Sequence, residues 1–264
     1  MAFFRKNDRK EDISQKETEV IQKVQPTPRP KPKPRTETII SKGIKVEGNI
    51  SGSDFVQING MLEGNITIAN VTIGPSGIVK GIIKAENVSI EGELKGEVEC
   101  EDIEIKRTGR VSNKIECINL LISGAVIGDI KAQNMITISK EGKVKAQNIQ
   151  SKKVVIHGVL DGKVYGENII EVGHDGKVTT ERLESQKVVV NGKIDGKITA
   201  SQLLEVGRNG FVQGEITVKN IKTEEGGRVI GTMVTYEETK PKQLAPSDNN
   251  NNSSDTEVID TEPA

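Results

Sequence analysis

Apolar and polar positions alternate through most of this chain, and glycine cuts the alternation at regular intervals. Two templates account for the pattern. Ile58, Ile90, Ile122, Ile156 and Val190 each carry glycine two residues on (Gly60, Gly92, Gly124, Gly158, Gly192) and six residues on (Gly64, Gly96, Gly128, Gly162, Gly196). An aliphatic residue follows at the eighth position (Ile66, Val98, Ile130, Val164, Ile198). Ile44, Ile73, Ile105, Ile138, Val172 and Val206 instead carry glycine four residues on and Ile or Val six residues on. The two classes alternate, with successive anchors 14 to 18 residues apart and same-class anchors 32 to 34 apart in mid-chain. Thr223, with Gly227 and Val229, reads as a last, degenerate member.

A unit of this length, made of short alternating stretches, suits one coil of a three-sided, single-stranded parallel β-helix. Each face takes a few residues and each corner needs a turn. Glycine serves where the chain bends without room for a Cβ. The inward Ile, Val and Leu then stack in rows. One coil cannot bury its apolar face, but stacked coils can. Twelve anchors at the strand spacing predict an all-β rod of about 55–60 Å.

The same register places Cys100 and Cys117 at one site in adjacent coils, five residues before Ile105 and Ile122, with Ala85 at the same offset. Two readings stand: a buried ladder of small residues without chemistry, or a thiol pair within disulfide range.

Composition divides the 264 residues into three segments. Residues 1–38 are polar and include "PTPRPKPKPR", where proline alternating with Lys or Arg forbids helix and central strand. Residues 236–264 end in a polar, acidic, low-complexity stretch. Both flanks are expected to be disordered, around a patterned core at 39–235. Aromatics are 2% of the chain and Trp is absent, so the core relies on Ile and Val, which suit pleated strands. A net charge of −1 gives no global argument for nucleic acid or an anionic membrane. No apolar run approaches a membrane span and no signal peptide is legible, and two cysteines fit a reducing interior. The expected location is cytoplasmic.

These features together resemble the bactofilins, bacterial polymer-forming cytoskeletal proteins. The repeated signature is "GMLEGNI", "GELKGEV", "GVLDGKV" and "GKIDGKI", with "GAVIGDI" in the same frame. The resemblance covers 39–235, a core about twice the length of a common single bactofilin domain. It implies a right-handed helix and nucleotide-independent, non-polar filaments built by end-to-end stacking, often at the membrane. It also implies an apolar, aromatic contact in the terminal coils. That points to Phe211, Val212 and Val229 at one end and Phe55 and Ile44 at the other; the alternative is that the two Phe side chains plug wider coils. An open coil edge has its own reason to pair, because its N–H and C=O groups lack partners.

The flanks carry further candidates. Phe3 and Phe4 beside Arg5 and Lys6 resemble the membrane-targeting start of many bactofilins. Arg29, Lys31, Lys33 and Arg35 lie on an extended spacer, which is either a partner-binding site or a plain solvated linker; without interleaved aromatics, direct nucleic-acid binding is disfavoured. Implied partners are further copies of the chain, the inner face of the cytoplasmic membrane, and cell-wall, cell-shape or chromosome-positioning proteins.

Other classes fit less well. No cofactor, metal or catalytic set is expected. His157 and His174 sit at different offsets, no cysteine or acid completes a metal set, and Asp161 and Asp195 lie two coils apart. "GPSG" and "EEGG" lack the Lys-Ser/Thr of a phosphate loop. A secreted rod or adhesin is the non-enzymatic alternative, opposed by the absence of a legible signal peptide.

Overall fold

The structure, a computed structural model, describes residues 37–237, and these contain only strands, turns and bends. The flanking candidates Phe3, Phe4, Arg5, Lys6, Arg29, Lys31, Lys33 and Arg35 lie outside the described residues. Nineteen strands from Glu37–Ile40 to Arg228–Thr235 all pair in parallel in one continuous sheet that winds into a solenoid of twelve rungs.

Each rung has three faces. Face A, such as Phe55–Ile58, points two side chains inward; the chain then turns into face B, such as Met61–Glu63, which points in one. It bends at a corner into face C, such as Ile66–Thr67, and returns through a polar corner to face A of the next rung. The inward rows are unbroken. On face A, Ile40 pairs with Ile58, Ile58 with Ile73, Ile73 with Ile90 and Ile90 with Ile105. The row runs on through Ile122, Ile138, Ile156, Val172, Val190 and Val206 to Thr223. Ile58 through Val206 in this row are buried. Stacking identical branched side chains removes them from water without demanding a large aromatic, which is how so few aromatics suffice.

One anchor requires correction. Ile44 does not belong to the row; Ile40 does, and Ile44 is half-exposed after the Ser41–Ile44 turn. Two isoleucines four residues apart flank this turn, and Gly43 takes the positive φ that closes it. With Ile40 in place, the first spacing becomes 18 rather than 14 residues, in line with the rest.

The two sequence templates are two turn lengths on one row. After Ile58, Ile90, Ile122, Ile156 and Val190 a two-residue turn ends in glycine; after Ile73, Ile105, Ile138, Val172 and Val206 a four-residue turn does. The glycines of the two-residue turns are needed for close approach. A Cβ on Gly192 would meet the Gly173 and Gly176 carbonyls of the preceding rung inside contact distance. The glycines at the corner between faces B and C are needed for conformation. Gly162 and Gly196 have φ of +141° and +137°, where L-residues are strained. From Ile78 onward the ladder often continues around both corners. Lys143–Ile156, Val159–Val172, Lys177–Val190 and Lys193–Val206 are each single strands of 14 residues, interrupted only at the turn.

Candidate assembly surfaces

Among the described residues both ends of the solenoid are open. The first described strand lies on face A of the first rung and the last, Arg228–Thr235, runs on to face C of the twelfth, so each end is one whole coil whose ladder edge has no partner among the described residues. At the C-terminal end the inward rows finish on Ile221, Thr223, Val229, Met233 and Thr235. Ile221 is 38% and Met233 48% exposed, whereas the residues beneath them, Leu204 and Ile216, are fully buried. At the N-terminal end Val46 and Ile50 are half-buried and Ile40 is 6% exposed. A core residue pairs in-row with a residue above and one below; these lack one of the two.

The sequence-based candidates fall around these ends in different ways. Val229 belongs to the exposed C-terminal coil. Val212 is fully buried beneath it. Phe211 stands on the outer side of face B, one rung below the end, half-buried, with the Lys193 ammonium 5.2 Å from its ring centroid. Phe55 lies half-buried on the outer side of face A in the second rung, between Glu37 and Asn70. Ile44 is at the turn of the first rung.

The thiol register holds. Ala85 pairs with Cys100 and Cys117 with Ala132, within a corner row of mostly small residues. Cys117 is buried and Cys100 half-buried, and both are free thiols. Burial pushes both thiols up, with each other's proximity adding at Cys100 and Asp102 adding at both; Cys117 is pushed up to about 12. Only the thiolate is nucleophilic, so at pH 8 Cys117 should react with a thiol reagent about a thousandfold more slowly than an ordinary cysteine. Native chains should therefore label at fewer than two sites and denatured chains at two. The linkage sign follows. The fold holds the proton after the unfolded chain has released its own, so stability is full below pH 9 and falls as pH rises towards 12. The loss is about 1.4 kcal/mol per pH unit for each thiol so held, readable in denaturant midpoints.

The polar corner between faces C and A carries a ladder that sequence reasoning missed. Asn87 donates to Asn70 Oδ1 (3.1 Å), Asn119 to Asp102 Oδ1 (2.8 Å) and Asn134 to Asn119 Oδ1 (2.9 Å). Asn70, Asn87, Asp102 and Asn119 each lie three residues before an anchor isoleucine, a signal present in the sequence. Such ladders align successive rungs; they carry no chemistry.

The outer surfaces differ in how their charges are matched. On face C, Lys84 pairs with Glu99, Lys114 with Glu116, Lys163 with Glu181, Arg182 with Glu184 and Lys197 with Glu215. On face A, Glu205 accepts from Lys222 and Lys187 and is held below the usual carboxylate range by them. On face B, cations of the early rungs are also paired: Lys45 and Lys80 share Glu63, and Lys95 meets Glu93. From the fifth rung this changes. The outer row directly after each turn reads Arg110, Ala125, Lys143, Val159, Lys177, Lys193, Phe211, Arg228 in ladder register, with no anion among them.

Among the described residues no three His, Cys, Asp or Glu side chains are grouped to hold a metal. Asp161 and Asp195 share an outer row of face B but are separated by Thr179. His157 and His174 sit on two successive turns. No helix among the described residues is long and apolar enough to cross a membrane.

The described residues form a single-sheet parallel β-solenoid, which defines the class of the fold. The sequence pattern of the bactofilins, described as polymer-forming cytoskeletal, matches residues 38–122, 117–181 and 148–234 in three overlapping segments, and the chain belongs to this family. No curated protein and no solved structure matches it.

Proposed function

We propose that this chain is a non-enzymatic cytoskeletal scaffold whose copies stack end to end into nucleotide-independent, non-polar filaments. The observation that carries the reading is the pair of open coils, whose inward rows end on half-exposed Val46 and Ile50 at one end and on Val229, Ile221 and Met233 at the other. At the C-terminal end Val229 carries the contact, supported from beneath by Val212, with Phe211 at the rim; at the N-terminal end Val46 and Ile50 do so, with Phe55 and Ile44 at the rim. Stacking pairs the free edges and buries these side chains together. The 39–235 core acts as the rigid unit, and segments 1–38 and 236–264 are displayed along the polymer. The test is sedimentation and negative-stain microscopy of the full chain without nucleotide. Filaments are the expected result, and single rods across salt and concentration would overturn the reading.

The filament is proposed to lie on the inner face of the cytoplasmic membrane, held by Phe3, Phe4, Arg5 and Lys6, and to organise cell-wall, cell-shape or chromosome-positioning proteins through Arg29, Lys31, Lys33 and Arg35. Two phenylalanines supply a few kcal/mol per chain, and many copies on one polymer raise the overall affinity by orders of magnitude. Phe3→Ser/Phe4→Ser should leave filaments intact and release them from the membrane fraction. Unchanged membrane recruitment would sink this assignment.

A further inference from the structure

We propose that the outer row of face B from Arg110 to Arg228 is a docking track for this chain's own acidic segment, Asp255–Glu262. This goes beyond the scaffold reading and does not depend on it, because the contact lies within one chain.

The track is distinguished by what its cations lack. Face C matches nearly all of its cations with carboxylates one rung or two residues away, and the early rungs of face B do the same. Among the described residues Arg110, Lys143, Lys177 and Arg228 have no ion pair, and Lys193 has only the ring of Phe211. The neighbouring outer row adds Lys145, with Asp161 and Asp195 as its carboxylates. From the fifth rung to the last, six cations therefore face two anions. The residue before Arg110, Lys143, Lys177, Lys193 and Arg228 is a turn glycine, and the turn carboxylates Glu141 and Asp175 are taken by Arg107 and Lys140. Val159, 44% exposed, leaves an apolar gap between Lys143 and Lys177.

The complement lies in the sequence beyond Glu237. From Gln243 onward that segment holds Asp248, Asp255, Glu257, Asp260 and Glu262 and no Lys or Arg. The stretch "DTEVIDTE" sets Val258 and Ile259 between acids, matching an apolar gap between cations. The dimensions agree. Eight rungs span about 34 Å at strand spacing, and eight residues can cover about 26–29 Å of that when extended, more than the three rung spacings from Lys143 to Lys193. The 18 residues from Glu237 to Asp255 are chain enough to leave the last rung and enter the track, since a chain can span up to about 3.3–3.6 Å per residue. Each exposed ion pair is weak, but tethering makes the encounter intramolecular, at millimolar effective concentration.

Zero-length carbodiimide cross-linking of the dilute, monomeric full chain, read by mass spectrometry, tests this. The Lys84–Glu99 pair on face C serves as the internal reference. Expected products join Asp255, Glu257, Asp260 or Glu262 to Lys143, Lys177 or Lys193. Their yield should fall about tenfold in Lys143→Gln/Lys177→Gln/Lys193→Gln and in Asp255→Asn/Glu257→Gln/Asp260→Asn/Glu262→Gln, with Lys84–Glu99 unchanged. These are surface changes outside the inward rows, and the unchanged reference product reports that the fold is intact. Acidic-segment products spread evenly over lysines of all three faces would overturn the proposal. So would flotation with phosphatidylserine vesicles that requires the three lysines and is unaffected by neutralising the acidic segment, since the track would then be a lipid surface. Loss of filaments without loss of these cross-links would count against the scaffold reading and leave this one standing.

Discussion

Val229→Glu should turn filaments into short species, at most pairs of rods joined through their intact N-terminal ends. Val229 ends the inward row of face B, with Val212 below and no described residue above it, so in the proposed filament a second copy covers it. As a free rod the variant keeps its glutamate at the open coil, in water, so its fold and melting temperature should match the parent closely. Stacking would bury that carboxylate in an apolar row without a partner, and an uncompensated buried charge costs about 3–5 kcal/mol. At about 1.4 kcal/mol per tenfold, the critical concentration should rise at least about a hundredfold. Sedimentation across a concentration series reads this directly. Phe211→Arg locates the contact more finely, because Phe211 sits on the outer side one rung below. Filaments retained in Phe211→Arg and lost in Val229→Glu would place the contact on the coil end, and loss in both would extend it down the flank. Polymerisation of Val229→Glu at the parent's concentration would sink a C-terminal coil contact.

Gly162→Ala should cost the rod about 3–5 kcal/mol, from backbone strain plus a steric clash. Gly162 turns the corner from face B to face C at φ +141°, and a Cβ there would run into the backbone carbonyl of Ala146 on the rung below. Neither partner can give way, because both are backbone held in the ladder. A rod is stabilised rung by rung, so damage at the eighth rung uncouples the coils on either side. The melting temperature should drop by roughly 10 °C, taking 2–4 °C per kcal/mol for a chain of this size. Ala146→Gly is the control. Ala146 occupies the same corner without a positive φ, on a rung whose register shifts past Ala146, so the exchange should cost about 0.5–1 kcal/mol. Equal melting temperatures for the two variants would show that the Gly162 corner carries no special strain.

Why Gly162 and Ala146 can share a row is something the glycine spacing alone does not reveal. The corner tolerates an ordinary φ at Ala146 and at Thr180 because both rungs are a residue or two longer and shift register there. Asn113 meets the same corner with a positive φ of 95°. Local chain length, set by neighbours above and below, decides which solution each rung uses. The cysteine register, by contrast, was legible, because an inward offset of five before an anchor isoleucine is preserved wherever the intervening corner keeps its length.

The candidate surfaces were legible to a lesser degree. Val229 could be placed at an end by counting anchors. Val212 and Phe211, adjacent in sequence, differ by a half-turn of the pleat: one is sealed in the core and the other faces out beside Lys193. The unpaired cations were not seen, since lysine and arginine are spread through all the faces and only pairing across rungs separates the matched from the unmatched.

The sequence by itself determined the rod: twelve anchors, the rows they form, and the glycines that turning and close stacking require. It could do so because in a solenoid each residue's tertiary neighbour lies one period along the same chain, so periodicity in sequence is contact in space. Only the tertiary structure decided between Ile40 and Ile44, which side chains end the open rows, and which cations remain without carboxylates. Those outcomes depend on turn length and on long side chains reaching across a rung spacing of about 4.8 Å. Two equally apolar residues beside a turn, or two lysines on different faces, look alike until the coils are stacked.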